Sequence, residues 1–285
     1  MTTVRWAPPK PATDAEPTPA QFRVVADAVA EVAGIQLRPG KEGLVRARLA
    51  RRLRALGVAS YDAYLARVAG DAGELAEMVE LLTTNKTAFF RERSHFDFVR
   101  DELAPRWAAR WASRPDAPLR VWSAGCATGE EAYTLALVLR EAIPDVDRRD
   151  VRVLATDLSR RVLAHARAGV YPDAAAADVP PELLARHFTR VEAGGAPAWQ
   201  AGPGLRALVD FAPLNLMAPW PMHEPFDAIL CRNVMIYFDK PTQQRLVARF
   251  HDRLAPGGHL LVGHAESLSA VAHALTYVRP SLYRR

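Results

Sequence analysis

The sequence predicts an α/β domain preceded by a smaller all-helical one. Three observations carry this. Residues 20 to 90 place their apolar side chains at helical spacing. From residue 119 short apolar strands alternate with helical stretches. The first of those strands runs into a glycine-bearing turn and then a helix, in VWSAGCATGEEAYTLAL at 121–137.

The elements follow in order. The opening MTTVRWAPPKPATDAEPTPA is rich in Pro, Ala and Thr, which predicts a disordered tail over residues 1–18. It lacks the apolar core of a secretory signal. In FRVVADAVAEVAG, Phe22, Val25, Val29 and Val32 share one helical face, and Gly34 ends the helix. KEGLVRARLARRLRALG follows, with Val45, Leu49, Leu53 and Leu56 on one face. Arg48 and Arg51 are expected to point away, Arg52 to flank the apolar stripe, and Arg46 and Arg54 to spread more widely. Such a face suits a partner or plain solvent equally. SYDAYLARVAG and ELAEMVELLTTN supply two more helices, giving a helical domain over 19–90. RPDAP at 114–118 marks the turn into the first strand.

LRVWSAG, VRVLATD, ALVDFAPLN, FDAILCRN and GHLLVGH are the predicted strands. EEAYTLALVLREAI, SRRVLAHARAG and TQQRLVARFHDRLAP are the helices among them, and LTYVRPSLYRR returns as an edge strand. Helices between successive strands indicate a sheet covered on both faces. Between Tyr171 and Phe211 the pattern weakens, and EAGGAPAWQAGPG reads as a loop or small hairpin.

Composition excludes several classes. The chain of 285 residues is 49% hydrophobic and 24% charged, with no apolar run of membrane-spanning length, so no direct membrane insertion is expected. Cys126 and Cys231 cannot form a disulfide framework or, by themselves, a zinc site; a cytoplasmic setting is the simple reading, and no metal is expected. A net charge of +5 does not by itself indicate nucleic acid.

The turn at 125–129 carries the chemistry. Gly125 and Gly129 permit a tight bend and close backbone approach. Glu130 and Glu131 would repel a phosphate and favour a cationic or hydroxyl-bearing ligand, and no GK[ST] follows. Acids at a helix start also stabilise a helix with no ligand present. Asp157 ends the next strand, where a carboxylate can accept from two ribose hydroxyls. It equally suits the turn in which Ser159 caps the next helix. A nucleoside with an ammonium- and carboxylate-bearing tail fits better than a dinucleotide, and S-adenosylmethionine is such a molecule.

Over approximately residues 20–284 the chain closely resembles the CheR family of chemotaxis protein-glutamate O-methyltransferases. TTNKTAFFRERSHF (83–96), GCATGEEAY, ATDLS, NL, CRNVMIYF and PGGHLLVGHAES carry the resemblance, in the family's order. It implies an S-adenosylmethionine-dependent, Rossmann-like methyltransferase domain over 91–285, with a small β-subdomain inserted at 171–210. It also implies cofactor contacts at Asn85, Thr87, Arg91, Gly125, Asp157, Asn215, Leu216, Arg232 and Asn233. Glu131 is the preferred contact for the methionyl end, with Glu130 in reserve. Lys86 departs from a position that is often apolar in the family.

Arg91 and Tyr237 are the implied catalytic pair, in positioning roles. The implied partners are methyl-accepting chemotaxis proteins or related chemoreceptors. Their glutamates become methyl esters and S-adenosylhomocysteine is released. Arg46, Arg48, Arg51 and Arg52 are the implied receptor-binding residues, and recruitment to receptor arrays follows. Plainer roles stand beside these. Asn85 and Thr87 could cap a helix starting near AFFRE, Tyr237 and Phe238 could be core aromatics, Cys231 suits buried packing, and His264 with Glu266 could shape a pocket floor or a turn. Two other readings remain: an S-adenosylmethionine methyltransferase acting on a small molecule or RNA, and a cofactor-binding regulator with little catalysis.

Overall fold

The computed structural model describes residues 16–285. Most of the tail expected over 1–18 lies outside the described residues. Two compact units are present, one ending at Thr84 and the other running from Asn85 to Arg285.

The smaller unit is built of α1 (Pro19–Ala33), α2 (Glu42–Ala55), α3 (Tyr61–Gly70) and α4 (Ala72–Leu82). The Thr18 hydroxyl accepts from the Gln21 amide while the Gln21 side chain accepts from the Thr18 amide, closing a capping box at the start of α1. Gly34 ends that helix at φ 73°, a left-handed conformation that costs glycine little. Val25, Val29, Val45, Leu49, Leu53 and Met78 are fully buried.

One charge is buried with them. Glu74 accepts from the Tyr64 hydroxyl at 3.0 Å and from Arg52 Nε and Nη2 at 3.0 and 2.5 Å. The Arg52 bonds hold the Glu74 carboxyl below its ordinary range. Arg48, expected to point outward, is instead half-buried and donates to the Thr83 carbonyl and the Thr84 hydroxyl. The end of α4 has carbonyls without intrahelical partners, and this long side chain reaches one of them.

In the larger unit, α5 (Ser94–Phe98), a π-helical turn (Val99–Leu103) and α6 (Ala104–Ser113) precede the sheet. The first helix after the linker starts at Ser94 with Arg93 before it, so neither Asn85 nor Thr87 stands at a helix N-terminus. Phe90 and Glu92 take φ values of 52° and 56°, which break any helix before it. The division at Thr84–Asn85 precedes the expected residue-90 boundary. Phe89 shows why the linker belongs to this unit: it packs edge-on against Tyr171 and Phe188, with ring centroids 4.9 and 5.7 Å away. No strand or helix was expected over α6, yet Trp107 and Trp111 bury one of its sides.

Then come β1 (Leu119–Ala124), α7 (Glu130–Ala142), β2 (Val151–Asp157) and α8 (Arg160–Ala168). The insert holds β3 (Val170–Pro172), α9 (Asp173–Ala176), α10 (Pro181–His187), β4 (Phe188–Ala193) and β5 (Ala196–Ala201). The chain continues through α11 (Pro203–Arg206), β6 (Val209–Pro213), β7 (Phe226–Cys231), α12 (Lys240–Arg253), β8 (Leu254–Val262), β9 (Thr276–Arg279) and β10 (Leu282–Arg284). The main sheet is ordered β6-β2-β1-β7-β8-β10-β9. Strands β6, β2, β1, β7 and β8 are parallel; at one side β10 pairs antiparallel with β8, and β9 antiparallel with β10.

The sheet has a Rossmann-like layout. β1 pairs with β2 on one side and β7 on the other, with Val121 opposite both Val153 and Ala228. The chain order reverses there, which opens a crevice past the carboxyl ends of the strands. The inserted β-subdomain expected at 171–210 is a separate antiparallel sheet, β3-β5-β4, where the residue pattern alone read as a loop or small hairpin. Arg190 stacks over Trp199 at 4.8 Å and pairs with Asp173, joining its strands to the start of α9.

Candidate functional site

The crevice is set by the turn after β1. Gly125 and Gly129 have φ values of 88° and 95°. A Cβ on Gly125 would lie 2.5 Å from Val234 Cγ2, so this turn and the loop after β7 approach more closely than any side chain allows. The amides of Gly125 and Cys126 both donate to the Thr156 carbonyl, at 2.8 and 2.9 Å, which ties the turn to β2.

Asp157 sits at the end of β2, 8% exposed. Its Oδ2 accepts from the Ala127 amide and its Oδ1 from the Ser159 amide, each at 2.9 Å. The carboxylate is therefore oriented from both sides. The Ser159 hydroxyl also caps α8, accepting from the Val162 amide. The turn role and a ligand role coexist, because a carboxylate oxygen accepts more than one hydrogen bond.

The two glutamates at the start of α7 have different surroundings. Glu130 accepts from the Thr128 hydroxyl at 2.6 Å. Glu131 accepts from the Ser123 hydroxyl at 2.7 Å and from Arg232 Nη1 at 2.8 Å. Arg232 is 6% exposed and lies under a second carboxylate, Glu92, at 3.1 Å. It also donates to the Arg91 carbonyl and stacks on Phe96 at 5.2 Å. One guanidinium thus joins the start of α7, the linker and the end of β7.

Around it lie Asn233, Glu266 and Arg91. Asn233 has φ 59°, donates its side-chain amide to Glu92 Oε1 at 3.2 Å and its backbone amide to Glu266 Oε2 at 2.7 Å. Arg91 is half-buried and donates to the Lys86 carbonyl at 2.8 Å. Asn85 and Thr87 are half-buried, as is Tyr237 at the end of a 3₁₀ turn. Asn215 accepts from the Met217 amide at 2.9 Å, and Leu216 is buried. The Leu214 amide donates to the Asp157 carbonyl at 2.9 Å, which fixes this pair beside the end of β2.

The chemistry of the set is acidic. Glu130, Glu131, Asp157, Glu92 and Glu266 are oriented by hydrogen bonds, with Arg232 the buried cation among them. This suits a ligand that brings positive charge and hydroxyl groups. Burial pushes the Cys126 and Cys231 thiols well above their ordinary range, which keeps both protonated and unreactive. His264 Nε2 lies 3.2 Å from the Ser94 hydroxyl, but the Glu266 carboxylate faces backbone amides instead, so no hydrolytic triad forms.

Among the described residues, Glu92, His95 and His264 place possible metal-ligand atoms within 4.8 Å of one another. The Arg232 guanidinium against Glu92 opposes a second cation there. Burial, reinforced by Arg232, lowers the His95 pKa to about 3, so that ring stays neutral.

Sequence reasoning did not single out Glu92 or Ser123. Glu92 lies beside the expected Arg91, and Ser123 is the last residue but one of β1, ahead of the glycine turn. Neither position has a periodicity or spacing that reveals which distant group it meets.

Comparison with known proteins places these motifs. The family described as "CheR methyltransferase, SAM binding domain" matches residues 85–282, and "CheR methyltransferase, all-alpha domain" matches residues 20–83. The chain is 41% identical over 263 residues to chemotaxis protein methyltransferase 2 of Pseudomonas aeruginosa, covering 92% of this chain and 91% of the relative. It is 38% identical over 267 residues to the chemotaxis protein methyltransferase of Escherichia coli, covering 93% and 90%. The Klebsiella aerogenes counterpart is 40% identical over 256 residues, covering 89% and 85%.

Proposed function

The chain belongs to the CheR methyltransferase family, and we propose that its crevice binds S-adenosylmethionine for methylation of glutamate side chains on chemoreceptors. The observation that carries the site assignment is the doubly held Asp157 carboxylate beside the Gly125 turn, with Glu131 at the start of α7. When bound, the cofactor supplies the methyl group of its sulfonium to the acceptor carboxylate, yielding the ester and S-adenosylhomocysteine.

This donor set fits that cofactor. Asp157 is the acceptor for the ribose diol, with both oxygens already aimed by backbone amides. Glu131 is the contact for the methionyl ammonium, with Glu130 next to it. Gly125 lets the backbone approach, and Asn215 and Leu216 flank the adenine. Asn85, Thr87, Arg91, Arg232 and Asn233 complete the cofactor contacts. Arg232 acts chiefly by holding Glu131 and Glu92 in place.

A glutamate acceptor is ionised at neutral pH, with an ordinary pKa of about 4.3. It needs no general base and no metal to activate it. The protein's task is alignment and exclusion of water. Attraction between the acceptor carboxylate and a sulfonium weakens as charge transfers, so binding that pair tightly would not speed the step. Arg91 orients the acceptor carboxylate, and Tyr237 shapes the line of approach.

The receptor partner is a methyl-accepting chemotaxis protein or a related chemoreceptor. On α2, Arg46 and Arg51 are exposed and present the charge that meets an acidic receptor helix. Arg48 and Arg52 belong to the same stripe but also hold Thr83, Thr84 and Glu74. No helix of the described residues is long and apolar enough to cross a membrane, and recruitment to receptor arrays is proposed through the receptor contact.

The test is mass-spectrometric mapping of receptor cytoplasmic fragments incubated with the protein and S-adenosylmethionine. Methyl groups on glutamates, lost when those glutamates are replaced by alanine, are expected. Methylation of added RNA or small molecules with unmodified receptor fragments would reject this reading.

A further inference from the structure

We propose that Glu266 is a positioning residue for methyl transfer, holding the Asn233–Tyr237 loop through its carboxylate; this inference rests on the function proposed above. Glu266 is 7% exposed. Its Oε2 accepts from the Asn233 amide at 2.7 Å and the Gly263 amide at 2.6 Å, and its Oε1 accepts from the Ile236 amide at 3.1 Å. The loop after β7 and the loop after β8 are thereby clamped to one side chain.

The clamp acts where the backbone needs it. Asn233 is left-handed at φ 59°, a conformation a non-glycine residue holds only when its surroundings impose it. A Cβ on Gly263 would lie 2.6 Å from Asn233 Nδ2 and 2.8 Å from Glu266 Oε2, so the fit leaves room for glycine alone. Ile236 precedes Tyr237 directly, and its anchored amide fixes where the tyrosine emerges. Gln243 holds the other side of the same turn, donating to the Met235 carbonyl at 2.8 Å and the Phe238 carbonyl at 3.1 Å.

A carboxylate serves because every facing group is a donor. An amide in its place would turn an NH₂ group toward a backbone N–H. Burial itself raises the Glu266 pKa and the backbone amides oppose that rise. Glu266 touches neither substrate nor cofactor in this scheme. It acts through Asn233 and Tyr237.

The experiment is a pair of double-mutant cycles on the full chain. Glu266→Gln is expected to lower the single-turnover rate of receptor-fragment methylation about tenfold to a hundredfold, with the receptor KM little changed. In a Tyr237→Phe background the same substitution is expected to cost less than about threefold, because the group it positions is already altered. In parallel, Glu266→Gln is expected to weaken S-adenosylhomocysteine binding about tenfold, and to add little in an Asn233→Ala background. Glu266→Asp, which keeps the carboxylate, is expected to recover part of both losses, and it carries the same cycles where Glu266→Gln does not fold.

Full additivity in both cycles, at unchanged circular dichroism, would overturn the proposal. So would a loss confined to the folded fraction, with normal turnover per folded molecule. A wild-type protein that methylates no receptor fragment would reject the proposed function instead, and the cofactor-affinity cycle would then decide the role of Glu266 alone.

Discussion

Replacing Asp157 separates cofactor binding from the alignment of the reaction. The carboxylate is the proposed acceptor for two ribose hydroxyls, and each hydrogen bond to a charged group contributes about 1.5–3 kcal/mol. Water satisfies part of that in the variant, so about 3 kcal/mol is a conservative loss for Asp157→Ala. That corresponds to roughly 150-fold weaker binding. The substitution also strips the Ala127 and Ser159 amides of their shared acceptor, which loosens the turn. Asp157→Asn keeps one oxygen and is expected to lose about tenfold. Tyr237→Phe removes only a hydroxyl on a half-buried ring after β7 and is expected to stay within about threefold. Isothermal titration with S-adenosylhomocysteine measures all three. An Asp157→Ala affinity within threefold of wild type, or a larger loss in Tyr237→Phe, would refute the assignment.

Three further outcomes are expected. Arg232→Met leaves Glu131 and Glu92 without their buried cation and is expected to destabilise the protein by about 3–5 kcal/mol in urea unfolding. Arg46→Glu with Arg51→Glu is expected to slow receptor-fragment methylation about tenfold at low salt, with a smaller effect at high salt and unchanged cofactor affinity; equal rates at low salt would reject the steering role of α2. Glu74→Gln is expected to cost the helical unit about 2 kcal/mol at neutral pH. Because the folded-state pKa of Glu74 is depressed, its contribution is fully present above the ordinary value of 4.5 and is lost as pH falls through the depressed one. Urea titrations of both proteins from pH 7 downward should therefore converge, and a gap that widens in acid would contradict the ion pair with Arg52.

Much of the fold is visible in residue patterns because strands and helices impose short periods. Val121, Val153 and Ala228 lie in apolar runs that became adjacent parallel strands, and Gly34 ended its helix as its backbone freedom suggested. The linker was harder. AFFRE looks helical, but Phe89 is drawn against Tyr171 and Phe188, and left-handed Phe90 and Glu92 break the segment. Tertiary packing overrode a local preference there. In α2 the periodicity located the apolar face correctly, yet it could not show that Arg48 reaches across to the end of α4. The same limit governs the crevice. The places of Asp157 at the end of β2 and Glu131 at the start of α7 were legible from strand ends and a glycine turn. Arg232 meeting Glu92, and Glu266 collecting three backbone amides, depend on loops brought together by the strand order.

Transfer of radiolabel from S-adenosylmethionine to chemoreceptor cytoplasmic fragments tests the proposed activity most directly. Label that is released by mild base, and that disappears when the receptor glutamates are substituted, is expected from a glutamyl methyl ester. Tight cofactor binding with base-stable label, or with label that survives substitution of every receptor glutamate, would contradict it.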